Sequence, residues 1–144
     1  MTPLTAPDMS QQIASALLDA AAQASAERGL ALAFAVVDRG GNQVASLRMD
    51  GAQLGALGLA IDKAYTAAAF GFPSAAWTES SAPGGSDWGL STVLGGRIVV
   101  FPGGVPIYVD GVLIGGLGVS GTASTTDEAV ALSAVAAAGL AASR

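Results

Sequence analysis

The chain lacks cysteine and histidine altogether across its 144 residues. Without cysteine there is no disulfide framework and no thiolate nucleophile. Without histidine both the usual general base and the commonest metal ligand are missing, and no metal-ligand set emerges. Positive charge is scarce as well: six Lys and Arg stand against eleven Asp and Glu, for a net charge of −5. No basic stripe can form to neutralise phosphates, which excludes nucleic acid as a partner. An anionic membrane surface is an equally poor match. No apolar run reaches the ~18 residues of a membrane span. The N-terminus has no basic region followed by an apolar stretch of the secretory kind, so a cytoplasmic location is expected.

What is present points to one folded domain over residues 1–144. Apolar residues make up 51% of the chain, which argues against disorder. The length falls in the single-domain range and can bury a real core. No internal repeat and no linker is visible.

The chain is organised around Arg97 to Gly121. Two β-prone runs there flank Asp110-Gly111, and Asp-Gly is the strongest short hairpin signal because both central residues of a type I′ turn need positive φ. Simple alternation over Val112–Gly121 puts Leu113, Gly115, Leu117 and Val119 on one face. Val112, Ile114, Gly116 and Gly118 fall on the other, and this half-glycine face admits a helix or a ligand close to the backbone.

Upstream, Thr5-x-x-Asp8 reads as a capping box for a helix ending near Arg28, with Ile13, Leu17, Ala21 and Ala24 buried. Leu32 to Val37 is a strand apolar on both faces, hence central. Asp38 to Asn42 is a turn, with Asp38–Arg39 and Arg48–Asp50 as turn-fixing pairs, and Gln43 to Met49 returns as a strand. Leu54 to Phe70 has helical spacing through Leu57, Ile61, Ala64 and Ala68. Gly55 and Gly58 weaken its start, which makes sense only if something packs closely there. Ser74 caps a short helix through Glu79. Ser80 to Gly89 is a long irregular stretch of the kind that often carries function. Arg97 opens a strand, and a last helix starts with Ser124/Asp127 or Thr125/Glu128 as capping box. That helix is apolar nearly all round and therefore wants burial on both sides, the second side by another subunit.

Several stretches resemble the GlcG/HbpS-like family: Ala35-Val-Val-Asp-Arg-Gly-Gly-Asn, Ile61-Asp-Lys-Ala-Tyr-Thr-Ala, Phe70-Gly-x-Pro, Gly96-Arg-Ile-Val-Val-Phe-Pro-Gly-Gly-Val-Pro-Ile and Ile114-Gly-Gly-x-Gly-Val-Ser-Gly. The resemblance spans nearly the whole chain in the family's order. It departs around Ser81–Trp88 and in a longer last helix. It implies an α/β domain of the α+β type with a five-stranded antiparallel sheet flanked by helices, usually assembled as homo-oligomers. Some members bind haem, including a domain fused to corrinoid adenosyltransferases.

Gly116-x-Gly118-x-x-Gly121 is formally a dinucleotide fingerprint. Only 23 residues follow it, too few for a second βα unit, and no acidic residue stands about 20 positions on to hold a ribose. Free N–H groups from Ser120 to Thr126, with Ser120 and Thr122 hydroxyls nearby, could still meet an anion. Lys63, the only lysine, reads as a solvated surface residue, as a contact to a ligand carboxylate, or as a catalytic amine acting with Asp62 and Tyr65. Arg97 and Arg48 read as structural ion pairs or ligand contacts. Asp38 and Asp50 could pair as carboxylates if their hairpin is tight. Trp77 and Trp88 flank the irregular loop as packing residues or as a lid over a flat apolar ligand.

Haem as cofactor would have to draw an axial ligand from Met9, Met49, Tyr65, Tyr108, Lys63, Ser120 or Thr122. Three readings stand: a small-molecule or haem-binding module; a cofactor-independent enzyme doing acid–base chemistry on a small carbonyl or carboxylate metabolite; and a structural oligomeric accessory protein.

Overall fold

The computed structural model describes residues 1–144. Helix α1 (Gln11–Glu27) leads into hairpin β1 (Ala33–Asp38) and β2 (Gln43–Arg48). Helix α2 (Ala56–Phe70) follows, then a long irregular segment holding three short 3-10 turns. The chain ends in hairpin β3 (Gly104–Val109) and β4 (Val112–Ser120) and helix α3 (Ser124–Ala137). The four strands form one antiparallel sheet in the order β2-β1-β4-β3, with apolar β1 in the interior. Asp110 and Gly111 take φ of +49° and +74° between paired Val109 and Val112, the two-residue turn their identities predict.

The sheet separates two layers. On one side Phe34 and Val36 of β1, Leu117 and Val119 of β4 and Val105 of β3 pack with Leu17 of α1 and Val130 of α3. On the other, Ala33 and Ala35 meet Ala56 and Ala60 of α2, and Val37 meets Ala64 and Ala68. Small residues bring α2 almost onto the strands. A Cβ on Gly118 would fall on the Ala60 carbonyl, one on Gly116 on the Ala64 carbonyl, and one on Gly104 on the Lys63 carbonyl. The glycine face of β4 therefore receives a helix.

The sheet has four strands rather than the expected five. Arg97–Phe101 makes no ladder, because side chains take up its backbone groups. Thr66 Oγ1 accepts from Val99 N at 2.9 Å, Thr78 Oγ1 donates to Val100 O at 2.9 Å, and Ser74 Oγ donates to Phe101 O at 2.7 Å. Ser74 is thus spent on this crossing and caps nothing. A register shift between Ile107 and Tyr108 also corrects the alternation in β4: Tyr108 pairs with Leu113 but Ile107 with Gly115. This bulge moves Ile114 into the α1/α3 core beside Leu117 and Val119.

Two further caps differ from expectation. Ser10, not Thr5, caps α1, its Oγ accepting from Ile13 N at 3.1 Å. Asp8 instead accepts from Arg39 N. Ala123 stands at the N-cap of α3 with no side-chain bond, so neither expected box forms there. Past α3, Gly139 takes φ +70° and the tail turns back to bridge β3, Tyr108 N donating to Ala141 O at 2.8 Å. Helix α1 and the sheet bury one side of α3 through Val130, Ala131, Ala134 and Val135, while Ala129, Leu132 and Ala136 stay exposed on the other. No helix is long and apolar enough to cross a membrane.

Candidate functional site

Helix α2 carries the chemistry of this chain on two opposite sides. Its buried face runs through Ala56, Ala60, Lys63, Ala64 and Ala67, so the lysine occupies a core position. Only 1% of Lys63 is exposed, which corrects the expectation of a solvated surface residue. Its ammonium donates to Asp127 Oδ2 at 2.9 Å, Val119 O at 3.0 Å and Ser120 Oγ at 3.4 Å. Those three acceptors match the three hydrogens of an ammonium. Phe101 lies across the charge, its ring centroid 5.4 Å from Nζ. The other oxygen of Asp127 accepts from Thr122 N at 3.1 Å. One buried pair thereby fastens α2, the end of β4 and the start of α3.

The outer side of α2 holds Asp62 and Tyr65. Arg97 Nε donates to Asp62 Oδ1 at 3.1 Å, and the guanidinium lies 3.8 Å from the Tyr65 ring centroid. Both charged partners are about one-third exposed, at 37% and 34%, so this pair contributes little stability by itself. It is a half-open polar stack and a place where an anion could meet Arg97.

The residues singled out in the sequence are thus not one site. Asp62, Tyr65 and Arg97 come together on the surface, and Lys63 and Ser120 come together beneath α2. Arg48 stands exposed on the outer strand β2, and Trp88 is exposed on the irregular segment. Thr122 contributes its backbone N–H. No ion pair joins Arg48 to Asp50 or Asp38 to Arg39. Asp38 fixes its turn through Gly40 N and Asn42 N, at 2.8 and 2.9 Å. That work occupies the carboxylate which the sequence offered as half of an acid–base pair.

The open space lies elsewhere. A cleft of about 570 Å³ sits between the end of α2 and the C-terminal tail, lined by Phe70, Phe72, Pro73, Tyr108, Leu113 and Arg144 among others. The aromatic side continues inward: Trp77 stands edge-on to Phe70 at 5.0 Å, and its Nε1 is buried without an acceptor. Tyr108 donates its hydroxyl to Gly71 O at 2.6 Å. A second cleft of about 490 Å³ is lined by Arg39, Val112, Leu113 and Arg144. A third, between α1 and α3, is lined by Asp19, Glu27 and Arg28. Neither Lys63 nor Arg97 lines any of the three.

Sequence reasoning gave Asp127 to a helix cap and missed its pairing with Lys63, and it missed the cleft. The helical spacing of Lys63 from Ala60 and Ala67 was the signal for a buried ammonium, which then requires a buried carboxylate. Glu128, next along, is the one carboxyl pushed above its ordinary value, by burial. The folded state therefore binds its proton more tightly than the unfolded chain, and stability falls as pH rises from about 4.5 through the folded value. Glu128→Gln is expected to raise the thermal midpoint slightly at pH 7 and to leave it unchanged at pH 3.

Comparison with known proteins gives a consistent answer. The family model described as haem degrading protein HbpS-like matches residues 9–136. A 15.0 kDa protein encoded between dhaT and dhaS in Citrobacter freundii is 38% identical over 133 residues, covering 88% of this chain and 94% of that protein. The crystal structure of Klebsiella pneumoniae protein ORFY superposes with a TM-score of 0.93 at 29% identity, over 96% of each chain. A PduOC:haem complex superposes with a TM-score of 0.90 at 31% identity, over 95% of this chain and 99% of that one.

Proposed function

We propose a function from one premise: this chain belongs to the HbpS-like family. It is a small-molecule-binding module whose ligand is haem or a related planar tetrapyrrole. The observation that carries this reading is the likeness to the PduOC:haem complex along nearly the whole chain.

The donor set decides how such a group would be held. Histidine and cysteine are absent. Met9 is enclosed in the core, and Met49 Sδ accepts from Leu32 N at 3.5 Å. The hydrogens of Lys63 are all engaged. Among the expected donors this leaves the oxygens of Tyr65, Tyr108, Ser120 and Thr122. Ser120 is buried against Lys63, Tyr65 is covered by Arg97, and Tyr108 reaches the 570 Å³ cleft. The fit is to a porphyrin gripped on its apolar faces and at its acid groups, with at most an oxygen donor at the iron. Bound haem would supply iron redox chemistry and visible absorbance. The chain's own contribution is an aromatic wall, exclusion of water and cationic side chains. The acid–base reading has less support, since its lysine faces no cleft.

A haem titration tests the reading. The expected result is a saturable one-to-one change in the Soret band at micromolar protein. A broad, non-saturating change, equal to that given by an unrelated acidic protein, would overturn it.

A further inference from the structure

We infer that the cleft at the end of α2 and the adjoining cleft beside the β3–β4 hairpin form one groove that binds a planar apolar carboxylic acid. The ring system lies toward Phe70, Phe72 and Tyr108, and the acid group meets Arg39 and Arg144. This deepens the binding reading above, on which it rests for the kind of ligand, by assigning the site and its recognition chemistry.

The first argument is continuity. The two clefts share Ala69, Leu113 and Arg144, so they abut along one line. The bulge that turns Ile114 into the core leaves Leu113 to this wall, and the tail tied to β3 at Ala141 closes the far side. The groove is therefore built by three separate features of the fold.

The second argument is charge. Of the six cations in the chain, Lys63 and Arg97 are neutralised by Asp127 and Asp62. Arg28 bonds Ala24 O and Ser133 Oγ, and Arg48 sits alone on the outer strand. Arg39, whose Nη1 donates to Pro7 O at 3.5 Å, and Arg144 have no side-chain carboxylate within ion-pair distance, and both line this groove. In a chain of net charge −5, a groove with one exposed guanidinium where its two clefts join, Arg144, and another in the hairpin cleft, Arg39, selects an anion. The planar fork of arginine matches a carboxylate. The aromatic end selects a flat apolar body, and the space falls in the range of ordinary ligand sites.

The test uses two fluorescent probes that differ only in charge: 1-pyrenebutyrate and its neutral alcohol, 1-pyrenebutanol. They are titrated into the wild-type protein and into the double variant Arg39→Gln/Arg144→Gln. Both arginines are exposed, so the variant should keep the fold, which circular dichroism checks. Wild type is expected to bind the acid at least ten-fold more tightly than the alcohol. The double variant should lose at least ten-fold for the acid and nothing for the alcohol, and Leu113→Glu should weaken both. Equal affinity for acid and alcohol, or unchanged acid binding in the double variant, would overturn the site. Haem titrated in parallel separates the two proposals. Saturable haem binding that is indifferent to both arginines, together with pyrenebutyrate binding that is also indifferent to them, leaves the haem reading standing and removes this groove. Pyrenebutyrate binding lost in the variant, with no haem binding in wild type, keeps the groove and removes haem.

Discussion

Asp127→Ala is expected to destabilise the folded protein by about 3–5 kcal/mol, the loss typical when one partner of a buried ion pair is removed. The variant would leave the Lys63 ammonium, 1% exposed, with two neutral acceptors and no counter-charge. It would also strip Thr122 N of its acceptor, a smaller loss because Thr122 is exposed and water can replace the carboxylate there. No cleft reaches Lys63, so water cannot readily replace the carboxylate at the ammonium. Urea unfolding of Asp127→Ala, Lys63→Met and the double variant Lys63→Met/Asp127→Leu measures the effect. The double variant is expected to be more stable than Asp127→Ala, because two apolar side chains need no partner. A loss below about 1 kcal/mol in Asp127→Ala, typical of surface pairs, would show that the pair is solvated. Because the pair joins α2, β4 and α3, its loss should also broaden the unfolding transition if those elements then separate.

That pair shows where sequence reading reached its limit. The β3–β4 hairpin was legible because Asp110-Gly111 is a local signal, needing only two residues with positive φ. The central placement of β1 was legible because both of its faces are apolar. Lys63 was not, since its neighbour Asp62 suggested a surface, whereas its partner lies 64 residues away. Arg97–Phe101 failed for a related reason: Ile98 and Val99 are buried, as in a strand, but Thr66, Ser74 and Thr78 answer for the segment's backbone instead of a neighbouring strand. Composition carries burial; it does not carry which long-range group satisfies a given N–H. The candidate groove was invisible for the same cause, as its walls come from the end of α2, a bulge in the hairpin and the returning tail.

Glycine pairs on α2 and β4 give the other large effect, and with opposite signs. Gly118→Ala is expected to destabilise by about 3 kcal/mol or more, at or beyond the upper end for overpacked sites. The new methyl would meet the Ala60 carbonyl and the Ala64 amide, and helix backbone cannot turn aside as a side chain can. To make room, α2 must lift from the sheet. It would then lose the contacts of Ala33 and Ala35 with Ala56 and Ala60, and its close approach at Gly116 and Gly104. Gly58→Ala should do the reverse. The sequence suggested that Gly55 and Gly58 answer to close packing, yet no atom lies within 4 Å of a Cβ built at either. At an exposed site inside a helix the alanine is expected to stabilise by up to about 1 kcal/mol. Thermal unfolding of both variants, with size-exclusion chromatography alongside, reads the outcome. A stabilised Gly58→Ala of unchanged size means that the single chain accounts for α2. A destabilised Gly58→Ala with reduced size would mean that a second copy of the chain packs on this glycine, whereas the sequence reading placed the other subunit on the last helix.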